Sequence, residues 1–139
     1  MLDVNVLLAL MDKDSIHHRA ALGWWRTERD KGWASCPLTQ NGFVRIACQG
    51  RYPLRPTAAQ AIALLRMQLG QASHEFWPDD ISIADGALFD SNRILGPKQI
   101  TDVYLLALAV KNGGRLVTFD RAISLAAVRG AKPRDLVML

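Results

Sequence analysis

The sequence predicts a three-layer α/β domain, with helices on both faces of a central parallel sheet of about four to five strands. Two observations predict it. Short apolar runs alternate along the chain with stretches of helical periodicity, the pattern of strands joined by crossover helices. The 139 residues are 50% apolar and 22% charged, without repeats, low-complexity tracts or Gly/Ser linkers, and so read as one domain spanning 1–139. A chain of this size buries roughly two-thirds of its unfolded surface, so it needs neither disulfides nor a structural metal to fold.

Taken in order, Leu2 opens a brief strand, Val6 to Met11 is an apolar turn of helix, and Ser15 to about Arg29 is a helix carrying Ile16, Ala20, Leu22, Trp24 and Trp25. Trp33-Ala34-Ser35-Cys36 reads as the second strand. Pro37 then introduces a helix around Thr39 to Cys48. Pro56 introduces another, whose Ala58, Ile62, Leu65 and Leu69 face the core until Gly70. Glu75 to Trp77 is a short strand, and a helix near Ile83 to Ile94 is ended by Leu95-Gly96-Pro97. Thr101 is placed as the N-cap of a helix whose run Val103 to Val110 is apolar nearly all round, hence buried, and Gly113-Gly114 stops it. Arg115 to Phe119 and Leu136 to Met138 complete the strands.

Charge and cysteine content narrow the class. Cys36 and Cys48 lie in apolar neighbourhoods outside any zinc or CxxC spacing, and read as reduced thiols of a cytoplasmic protein. The start, Met1-Leu2-Asp3, has no export-signal pattern, and charges or turn residues interrupt every apolar run before membrane-spanning length. Seventeen Lys and Arg against thirteen Asp and Glu give a net charge of +4, a mild bias toward polyanions. No acid occurs between Lys31 and His74, a stretch that holds Lys31, Arg45, Arg51, Arg55 and Arg66. It reads equally well as a surface for a phosphate backbone or as solvated helix faces. Apart from Glu28 and Glu75, every acid is aspartate, a carboxylate suited to strand ends, caps and metal sites.

In an open parallel sheet ligands bind beyond the carboxyl ends of the strands, and Asp3, Asp102 and Asp120 map to that rim. Each alone is ordinary, as a cap or a turn former. Three together repel one another unless a divalent cation lies between them, and oxygen ligands without His or Cys suit Mg²⁺, with Mn²⁺ as substitute. Such sites assist phosphoryl transfer by activating water. His17, His18 and His74 have no partners at ligand spacing. Trp24, Trp25, Trp33 and Trp77 read as core or a homodimer face, and Asp79, Asp80, Asp85 and Asp90 as solvated turn and helix residues.

These residues resemble the PIN-domain ribonucleases, and among them the VapC-type toxins of toxin-antitoxin pairs. Asp3-Val4-Asn5 is similar to the family's opening motif, Thr101-Asp102 to its central helix and Thr118-Phe119-Asp120 to its closing motif, with Pro37 to Arg45 between them. The resemblance implies an endoribonuclease that hydrolyses RNA with a Mg²⁺-activated water, Asp3, Asp102 and Asp120 holding the metal and Asn5 and Thr118 supporting. It further implies a VapB-like antitoxin and a homodimer. Lys31, Arg45 and Arg51 are the candidate RNA contacts. Two departures stand out. Gln40 takes the place of the family's usual glutamate among the catalytic positions, dropping one negative charge, and only Met1 and Leu2 precede Asp3. A weakened PIN domain acting as an RNA- or antitoxin-binding module is therefore the alternative. A receiver-like phosphorylated-Asp domain is a third reading, opposed by the lack of a suitable lysine after Asp120 other than Lys132.

Overall fold

The structure, a computed structural model, describes residues 1–49 and 56–139. Arg51 and Arg55 lie outside the described residues. The chain divides into two compact units, Leu2–Pro78 and Asp79–Leu139, with Met1 belonging to the second.

In the first unit, helix α1 (Val4–Met11) begins two residues before the periodicity suggests, because the Asp3 side chain caps it. Helix α2 (His18–Glu28) begins later than expected. Asp12 and Ser15 spend their side chains on the backbone N–H groups of Asp14 and His17, which turns the chain there and leaves Ile16 91% exposed. Strand β1 (Trp33–Ser35) is buried at every residue. Helix α3 (Pro37–Ala47) starts with proline in its first turn, and the Thr39 hydroxyl accepts from Cys36 N and donates to Cys36 O.

Helix α4 (Ala58–Leu69) is opened by a Thr57–Gln60 capping box, each side chain accepting the other's backbone N–H. The expected core stripe on α4 is corrected: Ala61 and Leu65 face inward, whereas Ala58 and Ile62 are exposed. Strand β2 (His74–Phe76) runs parallel to β1, with Trp33 opposite His74 and Ser35 opposite Phe76. Leu2 N–H donates to Ala34 O beside them. Helix α1 packs on α2 and α3, and α3 on α4.

In the second unit, helix α5 (Ile100–Lys111) buries Val103 and Leu105 to Ala109, as its apolar run predicts. Its N-cap position is Gln99, not Thr101, which lies inside the first turn and is exposed. The buried Gln99 side chain accepts from Leu95 N and donates to Ala122 O, so it fastens the helix start from both sides. Strands β3 (Leu116–Thr118) and β4 (Leu136–Met138) are parallel, and Val117 N donates to Met1 O. The expected helix near Ile83 to Ile94 does not form; those residues hold turns and a 3₁₀ turn at Ser91–Arg93. Ser82, Asp85 and Asp90 accept from Ala84, Ala87 and Asn92 N–H groups, local bonds that compete with a helical ladder.

Among the described residues the strands form two two-stranded parallel sheets, β1 with β2 and β3 with β4, rather than one sheet of four to five strands. Each strand is three residues long, enough for one short ladder. No helix among the described residues is long and apolar enough to cross a membrane.

Candidate catalytic carboxylates

Asp3 is 4% exposed, an unusual burial for a carboxylate. Its Oδ1 accepts from Val4 N at 2.6 Å and its Oδ2 from Asn5 Nδ2 at 2.7 Å, so cap and neighbour together fix the orientation of the group. The helix dipole of α1 favours a negative charge at that place. Asn5 is thus a hydrogen-bond donor to Asp3. The next residue, Val4, touches α3 where glycine is required: a Cβ on Gly42 would stand 2.7 Å from Val4 Cγ2. The absence of a side chain at Gly42 therefore sets how closely the capped end of α1 approaches α3.

Gln40, in the first turns of α3, is part of a hydrogen-bond chain that sequence reasoning missed. Its Nε2 donates to Ser35 Oγ at 3.0 Å, and Ser35 Oγ lies 2.8 Å from His74 Nε2. Burial pushes the His74 imidazole below its ordinary pKa, outweighing a backbone bond to Leu69 and the charge of Glu75, which both pull upward. Trp33 lies against the same ring at 4.4 Å between centroids.

Because the folded pKa is depressed, the unfolded chain takes up a proton at His74 first as pH falls, and stability is lost below about pH 6.5. Melting temperatures at about pH 5 and about pH 7.5 check this. Acidification should lower the melting point of the wild-type chain more than that of His74→Asn.

In the second unit Asp102 is the third residue of α5, half-buried in its first turn. Asp120 follows β3 by two residues: its N–H donates to the fully buried Thr118 Oγ1 at 3.0 Å, and its Oδ1 accepts from Ala122 N at 2.7 Å. Thr118 Oγ1 thus accepts the backbone N–H of Asp120. A tight turn reverses the chain between α5 and β3, so the helix start and the strand end share one end of the unit. The bond from Gln99 to Ala122 ties those two segments together and brings Asp102 and Asp120 to that end.

The remaining candidates fall elsewhere. Lys31 precedes the amino end of β1 and is ion-paired with Glu28 at 2.6 Å, whereas Gln40 follows the carboxyl end of that strand. Arg45 is exposed in the last turn of α3. Trp25, Trp33 and Trp77 are buried, with Trp25 edge-on to Trp33 at 5.2 Å, and Trp24 is half-buried, so the core reading of these rings holds. His18 is bonded to Ala9 O. A bond from Lys111, 2.6 Å away, holds the Asp80 carboxyl below its usual range. Cys36 is buried and Cys48 half-buried, and neither is in a disulfide among the described residues.

The donor chemistry of Asp3, Asp102 and Asp120, hard oxygen without sulfur or imidazole, fits Mg²⁺ or Mn²⁺. Among the described residues, however, no three His, Cys, Asp or Glu side chains are grouped so as to hold one metal ion.

The profile of the PIN domain matches residues 1–129, and so runs through both units. The chain belongs to the PIN domain family. A PIN domain is a three-layer α/β/α fold, which agrees with the layering the sequence predicts. This PIN domain is 50% identical over 139 residues, the whole chain and 98% of the relative, to Ribonuclease VapC44 of Mycobacterium tuberculosis. It is 41% identical over 131 residues, 94% of each chain, to Ribonuclease VapC39 of the same organism. With Ribonuclease VapC38 of Mycobacterium tuberculosis it shares 38% over 141 aligned positions, covering the whole chain and 98% of the relative.

Proposed function

We propose that this PIN domain is a VapC-type endoribonuclease, the toxin of a toxin-antitoxin pair, in which Asp3, Asp102 and Asp120 hold Mg²⁺. The observation that supports the reading is the burial of Asp3, a carboxylate 4% exposed and held by Val4 N and Asn5 Nδ2 in a PIN chain, with Asp102 in the first turn of α5 and Asp120 just after β3. Mg²⁺, when bound, supplies positive charge that relieves carboxylate repulsion, promotes ionisation of water and offsets charge building on the phosphate oxygens. Asn5 and Thr118 keep Asp3 and Asp120 in place. Arg45 and Arg51 offer charges for the RNA backbone, and Lys31, paired with Glu28, offers less. The resemblance to VapC proteins extends the proposal to a VapB-like antitoxin and a homodimer.

The test is incubation of RNA with the purified chain. Cleavage should appear with Mg²⁺ or Mn²⁺, vanish on chelation, return on re-addition and be absent in Asp102→Asn. Equal cleavage by wild type and Asp102→Asn refutes the reading. Gln40 favours one alternative, a weakened PIN domain that binds RNA or an antitoxin, because an amide stands where the family usually has a carboxylate and its N–H is spent on Ser35. If wild type is inert and Gln40→Glu cleaves, the alternative gains; if wild type cleaves, it loses.

A further inference from the structure

In the second unit a cleft of about 480 Å³ opens at the amino ends of β3 and β4. Arg115, directly before β3, and Lys132 and Arg134, directly before β4, line it together with a single carboxylate, Asp135. That carboxylate is largely occupied: Oδ2 accepts from Lys132 N at 2.8 Å and Oδ1 stands 3.7 Å from Arg134 Nε. The Arg134 side chain is 78% exposed, and the Lys132 ammonium has no ion-pair partner among the described residues. Gly113 and Gly130, with φ of +66° and +81°, border the cleft without side chains, and nothing stands within 4 Å of where a Cβ would be. The cleft is therefore concave, open and positive.

Its position relative to the acids is informative. Asp102 and Asp120 gather at the carboxyl end of β3, whereas the basic residues gather at its amino end, so charge is segregated along the strand direction. From Arg115 to Asp120 an extended backbone spans about 16 Å, a length of a few nucleotides. We propose that this cleft binds backbone phosphates of the RNA strand at a distance from the cleaved bond, holding the substrate without reading its sequence. The assignment rests on the ribonuclease reading. Lys132 acts as a point charge on phosphate oxygens, Arg115 and Arg134 present planar forks of N–H donors, and the glycines let the strand lie close to the protein backbone.

The experiment measures binding of a labelled single-stranded RNA to Asp102→Asn protein, which leaves the RNA intact, across a range of salt concentrations. Adding Lys132→Ala and Arg134→Ala should weaken binding about tenfold at low salt and reduce the log–log salt slope by about 1.4, near 0.7 for each lost phosphate contact. Lys132→Ala alone should give half that change in slope, and melting temperatures establish that each variant is folded. Unchanged affinity and slope in the folded double variant overturn the cleft assignment alone. If no RNA binds before these substitutions and wild type does not cleave with Mg²⁺, the ribonuclease reading falls and takes this assignment with it.

Discussion

Asp3→Asn should lower Mg²⁺-dependent RNA cleavage by about a hundredfold or more while leaving the fold nearly as stable as before. Asparagine caps a helix about as well as aspartate, so α1 keeps its start once the Asn5 amide turns its oxygen toward the new Nδ2, and what is removed is the charge that a metal needs. Asp3→Ala separates the two roles. It loses the charge, the cap on Val4 N and the acceptor for Asn5, and should cost about 1–3 kcal/mol of stability as well as activity. Cleavage rates and thermal melts of both variants test this. An Asp3→Asn protein that cleaves at the wild-type rate removes Asp3 from the site.

Gly42→Ala should also impair cleavage strongly, without touching a carboxylate. The new Cβ would meet Val4 Cγ2 at 2.7 Å, and a valine in a helix has essentially one χ1 rotamer, so the clash is relieved by moving α1 against α3. Overpacking of this kind costs about 1–3 kcal/mol, offset by about 0.5–1 kcal/mol from the better helix propensity of alanine. Because Val4 adjoins Asp3, the shift is passed to the carboxylate, and a misplacement of about 1 Å can cost about a hundredfold in rate. The double variant Val4→Ala/Gly42→Ala restores the space and should recover most of the activity. Failure of the double variant to exceed Gly42→Ala in rate and melting temperature shows that the contact does not position Asp3.

What the sequence revealed followed the range of the forces involved. Features set by a few neighbouring residues were legible: Pro37 at the head of α3, a break before α4 that the Thr57–Gln60 box makes definite, and the buried run of α5, though not the start of that helix. The segment 83–94 was misleading because its apolar residues imitate a helix while Ser82, Asp85 and Asp90 bind the backbone in turns. Asp3, Asp102 and Asp120 could be singled out because each follows or opens a recognisable element. The Ser35–His74 bond could not, since it depends on the register that places Trp33 beside His74 across 41 positions of chain. Gln99 escaped for the same reason, its partner Ala122 lying beyond a helix and a strand. Lys31 was put forward on charge alone, and charge does not say at which end of β1 a residue falls.

The bonds running from Gln40 through Ser35 to His74 begin with a group that donates: the Gln40 amide gives an N–H to Ser35 Oγ, which in turn lies against His74 Nε2. A glutamate at position 40 would have no proton to give. Ser35 would then turn its hydroxyl toward the new carboxylate, leaving its oxygen to accept from His74 Nε2. The residue at position 40 and the placement of the proton on the His74 ring are thus coupled through Ser35, and Gln40→Glu would be felt by a side chain on the neighbouring strand.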